Sequence, residues 1–167
     1  MDDVDHDLSR SLSVRQASIQ VMNRINLITL GVRDLKKSLQ FYRDIGFDVH
    51  VTGNEDGPII VFCNNEGSRL ELFPIDELAI DINAENPPAI SPGGFPGITL
   101  AYNAKSESEV DEIIHAVRGI GARIIKEPQR LSWGGYGGYF LDPDDYYWEV
   151  AFGSNWQFDE SNMLIID

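Results

Sequence analysis

The stretch from Tyr139 to Phe152, YFLDPDDYYWEVAF, decides the fold of this chain. Aromatic and β-branched residues flank the acidic tetrapeptide 142–145 on both sides, which is typical of two strands joined by a tight turn. Pro143 sets φ for the second turn position, and the flanking aspartates bond to their own backbone. Because side chains alternate faces along a strand, Glu149 points away from its apolar neighbours. The stretch therefore predicts a hairpin with one carboxylate facing solvent or a cavity.

Composition limits the class of protein. The 167 residues, 43% of them hydrophobic, can bury a core of one domain or two small fused modules. No apolar run reaches the roughly 18 residues that span a bilayer, and the acidic N-terminus lacks the pattern of a secretion signal. Cys63 is the only cysteine, so no internal disulfide forms and we expect a cytoplasmic protein.

The net charge is strongly negative. A value of −14 argues against a nucleic-acid surface, where a basic patch is expected, and against contact with anionic membranes. The same charge attracts a cationic ligand over long range, although it also has the simpler explanation of solubility.

The element pattern β-α-β-β-β occurs twice. In the first half, strands are predicted at 25–32, 47–51, 58–63 and 68–73, with a helix between the Asp34 cap and Gly46. In the second half, strands are predicted at 97–103, 122–125, 136–141 and 146–152. A helix follows the capping box of Ser106 and Glu109, and 127–131 is predicted as a loop.

The two halves also align by sequence. Ile28-Thr29-Leu30 recurs as Ile98-Thr99-Leu100, and Leu70-Glu71-Leu72 recurs as Trp148-Glu149-Val150. The predicted organisation is an N-terminal extension (1–22), a first module (23–73), a proline-rich linker (74–96), a second module (97–152) and a C-terminal tail (153–167). The linker allows a short helical turn near its start. Because the tail is rich in apolar residues, we predict that it packs against the body of the protein or forms a dimer contact.

Four segments carry a resemblance to a known family: ITLGVRDLKKSLQFYRDIGF, SRLELF, GITLAYN and FLDPDDYYWEVAF. Together they resemble the vicinal oxygen chelate superfamily, the glyoxalase/bleomycin-resistance/dioxygenase group, except that Asp145 stands where that family usually has glycine. The resemblance implies an α+β fold. Two tandem βαβββ modules would form a cupped, partly open, mixed barrel-like sheet with helices outside and a ligand inside.

The resemblance also implies where a metal would bind. The four ligand positions of metal-dependent members fall at Leu27, Glu71, Gly97 and Glu149. Two of these have no donor side chain, and the histidines (His6, His50 and His115) lie elsewhere in the pattern. Transition metals need three or four N, O or S donors. We therefore predict no cofactor and no catalytic metal; a divalent metal on the two glutamates is the alternative.

Strand alternation places a polar set inside the cup. Glu71 and Glu149 face one cavity there, and two close carboxylates cannot both ionise cheaply without a cation such as Arg69 between them. Three interpretations stay open: a satisfied Arg–Glu network, a site for a cationic or hydrogen-bond-donating ligand, and Glu149 as a general base. The predicted inward set is Thr29, Gly31, Arg69, Glu71, Phe73, Thr99, Ala101, Tyr147 and Glu149.

A second candidate site is the glycine-rich run WGGYGGY at 133–139. Its glycines allow close backbone approach to a ligand, and Trp133 and Tyr136 offer flat apolar walls. A hairpin with packed aromatics explains the same pattern. The run is not a phosphate loop, because GxxxxGK[ST] is missing.

The leading functional hypothesis is a homodimeric, metal-free protein that binds a small organic molecule in the cup. A glyoxalase-like lyase or isomerase, or a dioxygenase-type enzyme, is the alternative, with atypical metal ligands or with Glu149 as the base. A structural or interaction protein whose cavity is filled by side chains is the third possibility. The predicted ligand-binding residues are Thr29, Arg69, Glu71, Phe73, Thr99, Trp133, Tyr136, Tyr147 and Glu149.

Overall fold

The computed structural model describes residues 24–53 and 60–166. The predicted N-terminal extension with His6, the first two residues of the strand predicted at 58–63, and most of the preceding turn lie outside these residues. Within them the chain forms eight strands and three helices. They are β1 (Leu27–Val32), α1 (Leu35–Asp44), β2 (Val49–Thr52), β3 (Ile60–Cys63), β4 (Arg69–Pro74), α2 (Ile75–Ile82), β5 (Thr99–Asn103), α3 (Glu107–Gly119), β6 (Arg123–Arg130), β7 (Tyr136–Leu141) and β8 (Tyr147–Phe152).

The strands form two four-stranded sheets, one for each half of the chain. The strand orders are β1-β4-β3-β2 and β5-β8-β7-β6. The pairs β1–β4 and β5–β8 are parallel, and the remaining pairs are antiparallel. This duplicated mixed arrangement confirms the predicted α+β fold with two βαβββ modules, and the described strands do not close into a barrel.

Helices α1 and α3 begin and end where the sequence signals predict. The Asp34 side chain accepts from the Lys37 amide at 3.0 Å, and the Ser106 side chain accepts from the Glu109 amide at 3.1 Å. The apolar stripe of α3 is buried, as is the inner face of α1. Both helices pack into one core with the alternate strand residues that flank Glu71 and Glu149. Each carboxylate is therefore on the face of its sheet opposite to the helix of its module.

Strand β6 corrects the loop predicted at 127–131. Pairing with β7 continues to Arg130, through Gln129 opposite Gly137 and Arg130 opposite Tyr136. The register shifts between Lys126 and Gln129, around Pro128, which has no amide hydrogen to donate. The strand register therefore shifts near the proline, and the pairing continues beyond it.

Helix α2 occupies the first part of the predicted linker and is longer than the helical turn that the sequence allows. A Cβ atom built on Gly31 would lie 2.9 Å from Ile75 Cγ1 and 3.3 Å from Leu78 Cδ2. Gly31 shares its sheet face with Thr29 and Glu71, so α2 packs on that face. The module helices α1 and α3 lie outside the cup as predicted, whereas α2 belongs to the linker, which folds back over the first sheet.

The acidic turn 142–145 joins the two modules. The Asp144 carboxylate accepts from the Arg33 amide at 2.7 Å and from the Ser38 hydroxyl at 2.5 Å, and it is almost fully buried. At another point the C-terminal tail makes a second junction. Asn162 donates to Glu66 at 2.9 Å and accepts from Lys105 at 2.6 Å. The tail thus packs against the body, as one of the two sequence-based possibilities requires.

Candidate functional site

Glu71 lies at the centre of a cross-strand row in the first sheet. Thr29 is its partner on β1, Phe62 its partner on β3, and His50 stands beyond Phe62 on β2. The Thr29 hydroxyl donates to Glu71 Oε2, and the Glu71 residue is only 9% exposed. The row therefore holds a carboxylate fixed by one hydroxyl and bordered by an aromatic ring.

Glu149 occupies the equivalent row of the second sheet. Ala101 is its partner on β5, Tyr139 its partner on β7, and Lys126 follows on β6. The Tyr139 hydroxyl donates to Glu149 Oε1 at 2.7 Å, and the Lys126 ammonium lies 5.8 Å from the Tyr139 ring centroid. Burial of the phenol, together with the hydrogen bond and charge of Glu149, raises the pKa of Tyr139 to about 12. The phenol is thus a hydrogen-bond donor at neutral pH.

The two rows differ in which neighbouring strand supplies the hydroxyl that donates to the glutamate. Glu71 is held from the parallel partner strand by Thr29, whereas Glu149 is held from the antiparallel partner by Tyr139. Among the described residues, Glu71 Oε1 and Glu149 Oε2 accept no hydrogen bond. Each row therefore presents one carboxylate oxygen that can receive a further donor.

Arg69 does not neutralise these carboxylates. Its guanidinium donates to the backbone carbonyl of Asn65, its residue is exposed, and no ion pair joins it to Glu71 in the described ranges. The acceptor that the guanidinium uses is thus a backbone carbonyl of the turn before β4. The Arg–Glu network is therefore not formed, and the described residues place no cation beside Glu71.

Phe73, Thr99 and Tyr147 lie on the same sheet faces as the two glutamates. Phe73 is opposite Gly31 in the first sheet, and Thr99 is opposite Tyr147 in the second. Phe95, from the linker, meets Tyr147 edge to face with ring centroids 5.2 Å apart. Sequence reasoning missed Phe95, whose signal was one large aromatic in a run of prolines and glycines.

The structure separates Trp133 and Tyr136 from the carboxylates. Trp133 stacks on Trp156 of the tail, with ring centroids 5.5 Å apart. Tyr136 shares the face of β7 with Phe140, packs against the core beneath α3, and donates its hydroxyl to Asp111 of that helix at 2.8 Å. The glycine-rich run thus forms a hairpin with packed aromatics, and Tyr136 lies on the face of the second sheet that packs against α3.

The residues at the family's ligand positions do not fit a transition metal. Leu27 on β1 is aliphatic and 40% exposed, and Gly97 precedes β5 with a φ of 78° and no side chain. No group of three His, Cys, Asp or Glu side chains close enough to hold a metal ion occurs in residues 24–53 and 60–166. Two carboxylates on separate sheets supply fewer donors than such a site needs.

Two cavities lie outside the carboxylate rows, and neither is lined by Glu71 or Glu149. One, of about 480 Å³, lies between α1, the start of β6 and the acidic turn. The other, of about 320 Å³, lies between α2, the linker segment 88–96 and the residues Asp144 to Tyr146. Sequence reasoning predicted neither, because both depend on how the linker and the acidic turn fold back.

Cys63 is buried, and burial raises the pKa of its thiol to about 11. The thiol is therefore protonated at neutral pH and acts as a small apolar side chain. None of the helices in the described part of the chain combines the length and apolar character that crossing a bilayer requires.

Comparisons with known proteins agree with this architecture. Residues 24–150 match the family model of the Glyoxalase/Bleomycin resistance protein/Dioxygenase superfamily. A comparison with curated proteins finds no match. Among solved structures, a glyoxalase-related enzyme from Fulvimarina pelagi is 26% identical with a TM-score of 0.73, covering 87% of this chain and 99% of its own.

Two further structures show the same fold. A glyoxalase/bleomycin resistance protein/dioxygenase from Nocardioides is 20% identical with a TM-score of 0.70, covering 90% of this chain and 99% of its own. A lactoylglutathione lyase from Agrobacterium tumefaciens is 24% identical with a TM-score of 0.62, covering 83% of this chain and 100% of its own. With its family model matched over most of its length, the chain belongs to the Glyoxalase/Bleomycin resistance protein/Dioxygenase superfamily.

Proposed function

We propose that the protein binds a small organic molecule on the sheet faces that carry Glu71 and Glu149, and that it does so without a catalytic metal. The observation that carries the proposal is that one oxygen of each glutamate accepts a hydroxyl hydrogen bond while the other has no partner among residues 24–53 and 60–166. A ligand with N–H groups or a positive charge can satisfy these oxygens, and a charge-assisted hydrogen bond contributes about 1.5–3 kcal/mol.

Apolar surface next to the carboxylates supports an organic ligand over a bare ion. Phe62 and Phe73 lie on the sheet face of Glu71, and Tyr147, which Phe95 contacts edge to face, lies on the sheet face of Glu149. Binding sites for organic molecules combine such aromatic walls with a few polar groups that fix orientation. The net charge of −14 adds long-range attraction for a cation.

Bleomycin, a cationic drug named in the family's own description, is the first probe. We expect it to bind in isothermal titration calorimetry, and we expect Glu149→Gln to weaken binding about tenfold, because one charge-assisted bond is lost. Glu160→Gln, which removes the same charge from an exposed tail residue, is the matched control and should change nothing.

Native mass spectrometry of protein purified without chelator completes the test. An organic adduct that Glu149→Gln loses and Glu160→Gln keeps supports the proposal for a ligand other than bleomycin. One divalent metal per chain, lost in Glu71→Gln and Glu149→Gln, overturns it. Absence of both bleomycin binding and any organic adduct also overturns it and favours a structural or interaction role.

A second candidate function is an isomerase or lyase with Glu149 as general base. It is favoured by the 26% identity to a Fulvimarina pelagi protein described as an enzyme. The Glu149 side chain is partly exposed and its position is fixed by Tyr139, as a base needs. Turnover of the hemithioacetal of methylglyoxal and glutathione, lost in Glu149→Gln and kept in Glu160→Gln, would establish it.

We further infer a homodimer. The tail leaves Met163, Ile165 and Ile166 exposed, at 44%, 44% and 81%, and clustered exposed apolar side chains mark interfaces. Sedimentation velocity of the wild type and of a Met163→Lys/Ile166→Lys double variant tests this, with a dimer expected only for the wild type. A cytoplasmic location stays a prediction from the single cysteine.

A further inference from the structure

The cavity of about 320 Å³ beside α2, here called the α2 groove, is mostly apolar, and Arg33 is the one basic residue among the described residues that line it. Leu78 and Ile82 form its helical wall, and Ile90 and Phe95 form its wall in the linker. Arg33 and Tyr146 also line the groove. Neither glutamate lines the groove, although Phe95 contacts both the groove and Tyr147, so the proposal for the groove goes beyond the proposed function and is tested on its own residues.

Arg33 has spare hydrogen-bonding capacity. Its Nη1 donates to the Asp144 carbonyl at 3.2 Å and lies 3.9 Å from Asp144 Oδ1. Nε and Nη2 have no partner among the described residues, and the side chain is 47% exposed. A guanidinium presents its donors in a fork that matches a carboxylate in two parallel bonds. The free edge of Arg33 is therefore available to an anionic oxygen pair.

The acidic residues of the groove are already engaged. The Asp144 side chain is only 4% exposed, and its two oxygens accept from the Arg33 amide and from Ser38. Asp145 forms an ion pair with Arg123 at 2.8 Å. The Tyr146 hydroxyl donates to the Gly31 carbonyl at 3.0 Å. A molecule entering the groove thus meets the exposed guanidinium, while the carboxylate that partly balances it points inward.

We propose that the α2 groove binds an amphipathic carboxylate. Its aliphatic or aromatic body lies between α2 and the linker segment 88–96, and its carboxylate bonds to the free edge of Arg33. A small, strongly hydrated ion should not bind between these apolar walls. Its desolvation costs free energy, and it has no apolar surface whose burial would offset that cost. A cationic amphiphile finds no unpaired carboxylate here, because Asp144 bonds to the Arg33 amide and Ser38, and the charge of Asp145 is paired with Arg123.

Three probes of equal chain length separate charge from apolar burial: octanoate, 1-octanol and octylammonium. Each is titrated into ¹⁵N-labelled full-length protein and followed by amide chemical shifts. We expect octanoate to shift amides of α2, of residues 88–96 and of Arg33, and to bind about tenfold more tightly than 1-octanol, the ratio that one charge-assisted bond gives. Octylammonium should bind more weakly than 1-octanol.

Two substitutions on α2 form a matched pair. Ile82→Glu places an anion on the groove wall at a residue that is 66% exposed, so the fold is kept, and it should weaken octanoate binding about tenfold. Ile80→Glu adds the same charge to the same helix outside the groove and should leave octanoate binding unchanged. Arg33→Met should abolish the preference for octanoate over 1-octanol while 1-octanol still binds.

Equal binding of octanoate and 1-octanol overturns the proposal. So does an Arg33→Met variant that keeps the preference, or an Ile80→Glu variant that is impaired as much as Ile82→Glu. If a second copy of the chain covers the groove, octanoate will not shift these amides. The protein will then be a dimer, and Ile82→Glu will dissociate it. That outcome, too, rejects a carboxylate ligand.

Discussion

Tyr42 of α1 donates its hydroxyl to Asp142 Oδ2 at 2.8 Å, across the junction between the two modules. Tyr42 is fully buried and Asp142 is 5% exposed. The same hydroxyl accepts from Trp148 Nε1 at 3.3 Å, and Asp142 Oδ1 accepts from the amides of Asp144 and Tyr146, each at 2.9 Å. The turn that closes the second module is thereby fixed to the first helix of the other.

Removal of the Tyr42 hydroxyl should destabilise the protein. Tyr42→Phe leaves a buried carboxylate without one of its three donors, and we expect the free energy of unfolding to fall by about 2 kcal/mol. Urea denaturation followed by fluorescence measures the change. Tyr136→Phe is the control, because its hydroxyl also donates to an aspartate at 2.8 Å but on the surface, and it should cost less than about 0.5 kcal/mol. Equal losses in both variants would contradict this account of the junction.

Asp142 should make stability fall as pH rises. Burial, opposed by its three hydrogen bonds and reinforced by the nearby Asp144 charge, raises its pKa from 3.8 to about 6. The folded chain therefore keeps this proton over a range in which the unfolded chain has released it. The stabilisation is fully present below 3.8 and is lost as the pH passes through about 6.

Asp142→Asn removes this dependence. The difference in unfolding free energy between wild type and Asp142→Asn should decline by about 2–3 kcal/mol from about pH 4 to about pH 7. Asp81→Asn, at an exposed residue of α2, serves as the control with the same chemical change. A wild-type to Asp142→Asn difference that is constant with pH would show that Asp142 ionises in the folded protein as in the unfolded one.

Gly137 should not tolerate a side chain. A Cβ atom there would lie 2.7 Å from the Val150 carbonyl oxygen and 3.1 Å from Ala151 Cα, both in the backbone of β8. We expect Gly137→Ala to lower the unfolding free energy by about 1–3 kcal/mol, because the hairpin must move apart. Thermal melts of both variants measure this, and Gly119→Ala, where a Cβ has no neighbour within 4 Å, should be neutral or slightly stabilising. An unchanged stability in both variants would contradict the close approach of β7 to the backbone of β8.

Asp145 stands in a left-handed conformation, with φ at 69°. This explains why the family usually has glycine there. Asp145→Gly should change stability by less than about 0.5 kcal/mol, because relief of strain offsets the lost surface ion pair and the added chain entropy. Asp145→Ala should cost about 1 kcal/mol, since it loses the ion pair and gains steric strain. Thermal denaturation checks this: the melting temperature of Asp145→Gly should be higher than that of Asp145→Ala, and the reverse order would refute it.

Divalent metal should leave the melting temperature unchanged. Leu27 and Gly97 supply no donor side chains, and residues 24–53 and 60–166 hold no group of three metal ligands, so we expect Zn²⁺ or Ni²⁺ to find no site there that would stabilise the fold by mass action. Melts with added metal and with EDTA measure the effect. A metal-dependent rise that disappears in Glu71→Gln and Glu149→Gln would show that two carboxylates suffice.

Local signals in the sequence specified the elements. The caps at Asp34 and Ser106, the apolar stripe of α3 and the alternation around Glu149 depend on neighbours a few residues away, so they can be predicted from the chain itself. The internal repeat then predicted two equivalent modules and the equivalent rows of Glu71 and Glu149. The loop predicted at 127–131 failed because pairing with β7 outweighs the local tendency of Pro128 to end a strand.

The sequence by itself determined two βαβββ modules, each with a glutamate on the face away from its helix. Only the tertiary structure decided that Thr29 and Tyr139 hold those glutamates, that Arg69 does not, and that α2 folds back to form a groove beside Arg33. The physical reason is range. Caps and strand alternation act within a few residues, whereas these contacts join segments distant in sequence, which meet only when the core has packed.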